Sequence, residues 1–327
     1  MISRIDRKRI LIFVAITHGS YITAGLVIFL NGGLFSQYPW TEAPLAIVMI
    51  SLAMLSPAVA NVVTRAITGE GWSNSYLRPN FRRGWRHYLA ALFLPALAIL
   101  GGGAIYYLLF PGKFDPSMTY AREEMGMIAV GRATDTCSFL LIQTARGIAM
   151  SLLSIHWMFG EEFGWRAYLL PKLMPLGPRK AVLLVGVIWG VWHWPSIFLG
   201  AQYLYGYWGE PVVGPLLYVW CILPSSTIYG WLTIRSGSVW PAAIAHGVNN
   251  FCCKLMFWFL RPPLDLLIGP GWTGIIGSLC YFIIALLIFL IPGALAQPSS
   301  VSPGMTISVN SGAVEETAGQ VKPGIAS

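Results

Sequence analysis

The chain has 327 residues, is 56% hydrophobic and 10% charged, and has a mean hydropathy of +0.64. Soluble domains carry about 25% charged residues, so a soluble globular fold is excluded and a polytopic membrane protein is expected. The formal net charge of +8 does not point to nucleic acid: Lys and Arg sit in short loops between apolar stretches, and no basic, aromatic surface stands outside them.

About 20 apolar residues cross a bilayer, and eight stretches reach or approach that length: 10–30, 44–64, 88–110, 147–170, 181–199, 213–233, 239–260 and 272–292. The first follows Arg4, Arg7, Lys8 and Arg9 and has no small-residue cleavage site, so it reads as an uncleaved anchor. The loop 31–43 carries only Glu42, whereas the next holds Arg65, Arg78, Arg82, Arg83 and Arg86. Residues 111–146 mix Lys113, Arg122, Arg132 and Arg146 with Asp115, Glu123, Glu124 and Asp135. Lys172, Arg179 and Lys180 follow the fourth span, Glu210 the fifth and Arg235 the sixth. Lys254 and Arg261 after the seventh are the weak point of an alternation that otherwise puts both termini in the cytoplasm. Segment 137–146 is apolar but ends at Arg146, and a start of span four near 147 is preferred because it sets Glu161 and Glu162 within the membrane.

Residues 1–296 are therefore expected to form one all-α domain, a polytopic transmembrane helical bundle of about eight spans, with a motif-bearing core at 147–260. Residues 297–327 turn to Ser, Gly, Pro, Val and Thr and read as a disordered cytoplasmic tail. The cysteines, Cys137, Cys221, Cys252, Cys253 and Cys280, show neither CxxC nor zinc-ribbon spacing and read as small buried hydrophobes. No internal repeat supports a transporter.

Ionisable side chains are costly within a bilayer, and the fourth span carries Phe159-Gly-Glu161-Glu162-Phe-Gly-Trp-Arg166. Glu162 and Arg166 are four apart and share a helix face, whereas Glu161 is rotated away by roughly 140°. One carboxylate is thus compensated and the other is left for general-base work. The fifth span carries Trp189-Gly-Val-Trp-His193, in which Trp189 shares a face with His193 and can stack on or wall off the imidazole. The seventh carries His246-Gly-Val-Asn249-Asn250, with His246 and Asn250 on one face, able to hold a developing oxyanion or to join a metal. Read separately, each group is also explained by helix packing. Counted from the ends at Pro171 and Gly237, Glu161 is roughly 15 Å deep and His246 roughly 14 Å, while His193, counted from Arg179, comes out near 21 Å, roughly a turn deeper. His18, His87 and His156 read as structural.

Glu-Glu-x-x-x-Arg, aromatic-x-x-x-His and His-x-x-x-Asn, on separate apolar spans and in this order, resemble the CPBP family of intramembrane proteases. That group includes the CAAX-processing endopeptidases and bacterial bacteriocin-processing or immunity relatives. The matching residues are Glu161, Glu162 and Arg166; Trp189 and His193; and His246 and Asn250, with Trp189 where Phe is common. The resemblance spans about 147–260 and implies an intramembrane endopeptidase. Glu161, assisted by His193, would activate water; His246 and Asn250 would hold the oxyanion; Glu162, Arg166 and Trp189 would support the site. The alternative it leaves open is a non-catalytic relative acting as an immunity or membrane scaffold protein. HExxH is absent, yet Glu161, His193 and His246 could ligate zinc with water in the fourth position. The expected partners are the lipid bilayer and a peptide or protein substrate, lipid-modified and reached from the cytoplasm where the host prenylates proteins. The membrane would be the cell membrane in a bacterium and the endoplasmic reticulum in a eukaryote.

Overall fold

A computed structural model describes residues 2–33, 44–123 and 135–297. Residues 298–327 of the expected tail lie outside these, as do Glu42, Glu124 and Arg132. The described chain is a helical bundle: α1 (Arg4–Leu30), α2 (Pro44–Thr68), α3 (Phe81–Leu109), α4 (Thr119–Glu123), α5 (Thr136–Leu153), α6 (Ile155–Gly164), α7 (Leu170–Leu173), α8 (Pro178–Trp192), α9 (Trp194–Phe198), α10 (Val213–Ser236), α11 (Trp240–Cys252) and α12 (Leu279–Leu290). Local chemistry sets several boundaries. Ser3 accepts the Asp6 N–H at 3.1 Å to start α1. Pro178 opens α8 directly after Gly177, whose φ of 96° ends the preceding turn. Gly237, at φ 65°, closes α10 in the left-handed region that an L residue occupies at a cost.

Six helices or helix pairs are long and apolar enough to cross a membrane: 4–30, 45–68, 81–109, 136–153, 178–198 and 213–236. The chain is an integral membrane protein. The seventh and eighth expected spans contain helices of only 13 and 12 residues, short of a full crossing. Almost every residue of α11 is buried in protein, so it has little lipid-facing length to supply. Ahead of α12, turns close on themselves through bonds such as Ile275 N–H to the Leu267 carbonyl, 2.8 Å. The preferred start of span four is also corrected. α5 begins at Thr136, because Asp135 caps it by accepting the Ser138 N–H at 2.9 Å, and Arg146 lies on its exposed face. A break at Ser154 then redirects the chain into α6.

The helix ends gather at two poles. At one, Glu70 after α2 meets Arg9 of α1 at 3.2 Å and Lys172 of α7 at 2.6 Å, and Asn80 before α3 donates to the Gly237 carbonyl at 2.8 Å. At the other, the Asp115 N–H reaches the Phe259 carbonyl at 2.8 Å and the Tyr203 hydroxyl reaches that of Thr273 at 2.9 Å.

α6 packs directly on α2 because its glycines admit the neighbouring backbone: a Cβ on Gly164 would lie 2.7 Å from the Pro57 carbonyl carbon. Gly164→Ala should therefore cost about 1–3 kcal/mol through forced separation of the helices. Gly19→Ala, where nothing lies within 4 Å, should be neutral. Thermal unfolding in detergent of the two variants beside the parent checks this.

Candidate active site

Between α6 and α7 the helix widens into a π-turn, Trp165–Leu169, in which the Leu170 N–H bonds the Trp165 carbonyl. Such turns disturb the regular ladder and recur at functional sites. Here Asn61 of α2 supplies a donor, its Nδ2 reaching the Phe163 carbonyl at 2.8 Å. Asn61 is in turn held by Arg65 Nε at 2.7 Å, and the Arg65 guanidinium lies over the Tyr168 ring of the π-turn, 5.1 Å from its centroid.

Glu162 and Arg166, on the two sides of this junction, are fully buried and paired at 3.0 Å. The same Glu162 oxygen accepts a second bond from His246 Nδ1 on α11 at 2.9 Å. The Arg166 guanidinium is sandwiched by aromatic faces, 4.3 Å from the Trp189 centroid and 5.2 Å from that of Tyr229. Removing either partner would strand a charge in a low-dielectric interior.

Glu161 takes another direction. Trp189 Nε1 of α8 donates to its Oε2 at 3.0 Å, and among the described residues its Oε1 has no protein donor. The carbonyl of the same Trp189 meets His193 Nδ1 at 2.9 Å. The tryptophan ring is 5.3 Å from that of His246, edge to face, and 5.7 Å from that of His193. Trp189 thus touches both histidines, Glu161 and Arg166, a far larger role than walling off one imidazole.

The partners assign the tautomers. A carbonyl and a carboxylate can only accept, so Nδ1 carries a proton in both His193 and His246, and each ring faces the site with Nε2. In its neutral form His193 is then an acceptor at Nε2. Zinc ligands are oriented by similar outer partners, but among the described residues no three His, Cys, Asp or Glu side chains form a ligand set. Glu161, His193 and His246 as they stand do not fit a zinc site, and no step below is routed through one.

Asn250 lies one turn beyond His246 and is exposed. Its Nδ2 rests on the weak thioether acceptor of Met158, 3.2 Å away, and its Oδ1 accepts from Asn249 Nδ2 at 3.4 Å. Asn249 itself is buried and accepts the Tyr281 hydroxyl at 2.7 Å. Glu161, Glu162, Arg166, Trp189, His193 and His246 are thus brought into one cluster, with Asn250 at its edge. His18, His87 and His156 remain outside it: His18 bonds the Val14 carbonyl, while His87 and His156 contact Trp231 and Trp157.

Residues 143–252 match the family model described as Type II CAAX prenyl endopeptidase Rce1-like. Over 98 residues the chain is 32% identical to CAAX prenyl protease 2 of Methanococcus maripaludis, an overlap covering 29% of this chain and 36% of that relative. Over these residues the motif-bearing core is similar to the CAAX prenyl endopeptidases. The chain spans about a third of the length of this curated relative. The matched region runs from α5 to the last residue of α11 and so includes every residue of the cluster.

Sequence reasoning missed Tyr229, Asn61 and Arg65. Arg65 alone carried a signal, as a charge at the edge of an apolar span. Glu162→Ala should destabilise the core by about 3–5 kcal/mol, because Arg166 would stay buried without its carboxylate. Replacing both residues together by apolar ones, Glu162→Leu with Arg166→Met, should recover much of the loss. Denaturation of the single and double variants in detergent tests the coupling.

Proposed function

We propose that the protein is an intramembrane endopeptidase that hydrolyses a peptide bond with water activated by Glu161. The observation that carries this reading is a carboxylate with one oxygen anchored by Trp189 and the other without a protein donor, beside two histidines anchored through Nδ1. A water molecule on Oε1 gives its proton to Glu161 as its oxygen attacks the peptide carbonyl carbon, and the acceptor Nε2 of His193 orients the attacking water. The carbonyl oxygen becomes an oxyanion. Asn250 Nδ2, leaving its weak sulfur contact, donates to that oxyanion. His246 donates from Nε2 when it carries both ring protons, with Glu162 as the counter-charge at Nδ1. Collapse of the tetrahedral species breaks the C–N bond, and the proton held by Glu161 passes to the leaving amine. Atoms and charge balance, and no group outside the chain is needed beyond water and substrate. Glu162 and Arg166 position His246 and hold the helix in register.

Glu161→Ala and His193→Ala should abolish cleavage while membrane-inserted protein is retained, and Asn250→Ala should lower kcat about 10²–10³-fold. Quantitative mass spectrometry of cellular peptide termini, with parent and Glu161→Ala chains expressed in turn, supplies the readout. Full activity of the Glu161 or His193 variant would overturn the assignment, and peptide termini unchanged between parent and Glu161→Ala cells would favour a non-catalytic relative.

A further inference from the structure

We propose that the cavity between the start of α8 and the end of α12 seats one anionic phospholipid, with its phosphate held by Arg179 and Lys180. The inference stands apart from proteolysis and uses none of the residues of the Glu161 cluster.

The outward face of α8 changes character along its length. Arg179 and Lys180 are exposed in its first turn, and Leu183, Leu184 and Val187 are exposed one and two turns further on. A four-residue spacing puts Arg179, Leu183 and Val187 in one row and Lys180 and Leu184 in the next. Each row therefore starts with a cation and continues with apolar side chains. From Arg179 to Val187 the rise is about 12 Å, most of a leaflet whose hydrocarbon is about 15 Å thick. Charge first and hydrocarbon after it is also the order of groups along a phospholipid.

α12 reaches the same pole with its other end, and Ile283, Leu286, Leu287 and Leu290 are exposed along it. Between the two helices lies a cavity of about 430 Å³, lined by Arg179 and Lys180 and by the apolar Leu176, Ile288, Ile291 and Leu295. Two arginines fasten its wall. Arg179 Nη2 donates to the Phe289 carbonyl at 2.5 Å, and Arg235 Nη1 of α10 reaches the carbonyls of Gly293 and Ala296 at 3.4 and 3.3 Å. The segment that follows α12 is thus tied to α8 and α10, and the hollow is formed by the protein itself.

Charge decides the occupant. Arg9, Arg65 and Lys172 at this pole are paired with Asp6 or Glu70, whereas among the described residues no carboxylate pairs with Arg179, Lys180 or Arg235. Arg179 gives one nitrogen to a carbonyl and keeps its other N–H groups, and a carbonyl leaves the positive charge uncancelled. A zwitterionic headgroup would bring its own ammonium against these cations, and a neutral one would leave them unanswered. An anionic phosphodiester answers both, as in other basic hollows between membrane helices. A free phosphate ion would match the cations but leave the apolar wall and the rows of leucines without a partner; acyl chains cover them.

Native mass spectrometry of the full chain in detergent, titrated in parallel with phosphatidylglycerol and phosphatidylcholine of the same acyl chains, tests the assignment. One phosphatidylglycerol should stay bound at lipid concentrations where phosphatidylcholine does not. Arg179→Gln with Lys180→Gln should weaken its binding about 10–30-fold, and Lys180→Gln alone, which breaks no bond among the described residues, about 5-fold. Arg82→Gln with Arg86→Gln removes the same charge from the exposed start of α3 and should leave the affinity unchanged. Water-soluble glycerol phosphate at the same concentration should not compete. Equal retention of the two lipids, an equal loss in the α3 variant, undiminished affinity in both cavity variants, or displacement by glycerol phosphate would each overturn the proposal.

Discussion

A single buried carboxylate oxygen, on Glu162, is bonded by Arg166 from its own helix and by His246 from α11. Both bonds form where solvent does not reach, so neither donor can be traded for water. A buried pair of this kind is seldom the most stable solution, since apolar replacements of similar volume do as well or better. Its use is therefore to be sought in what it holds. It locks the rotation of α6 against α11 and directs His246 with Nε2 toward the site. The cost of inserting Arg166 so deep is further reduced by the two aromatic faces of Trp189 and Tyr229.

The support continues outward in layers. The π-turn that carries Arg166 is held from α2 by Asn61, and Asn61 by Arg65. Arg65 then meets Glu70, which also gathers Arg9 and Lys172. This polar chain runs from the membrane-buried pair to the helix ends at the basic pole and crosses α1, α2 and α7. Burial lowers the proton affinity of Lys172, whereas its hydrogen bond with Glu70 and the charges of Glu70 and Asp6 raise it. Burial prevails, so the lysine sits below its usual range. The network thus serves geometry more than it serves stability, as a set of partly desolvated charges generally does.

Much of the cluster was legible in the sequence because helix geometry is local. The four-residue spacing sets Glu162 on Arg166 and Trp189 beside His193 without knowledge of the fold, and similar estimated depths pointed to a common level for Glu161 and His246, both of which meet Trp189. What was not legible depends on long-range contacts. The indole of Trp189 donates to Glu161 across a helix interface, and Tyr229 lies under Arg166 from α10; neither has a spacing signature. The helix register at α6 depends on Pro57 accepting Gly164, a match between two chains of residues far apart in sequence. The expected spans and the helices differ in length where tertiary burial replaces lipid. An apolar stretch such as 239–260 has the composition of a crossing, but α11 stops at Cys252 because protein covers it and turns can follow inside the bundle. Apolarity measures exclusion from water and does not distinguish lipid from protein as the cause.

That shortness has a consequence for the hydrolysis we propose. A water-consuming reaction in a bilayer needs a path for water, and a continuous bundle of full-length helices would close it at both ends. α11 carries His246 and Asn250 but ends within one turn of Asn250, and α8 breaks at His193 itself. Both interruptions fall on the same side of the cluster, where the irregular segments 199–212 and 253–278 replace regular α-helix. Irregular backbone at such depth is tolerated only when buried in protein or lining a cavity open to water, and here Gly200 and Gly269 to Thr273 line a cavity of about 460 Å³. The pole of Glu70 and Gly237, by contrast, pairs its polar groups with one another. The two halves of the molecule are thus complementary: a closed, charged end that fixes the orientation of Glu162 and His246, and an interrupted end where irregular backbone takes the place of helix.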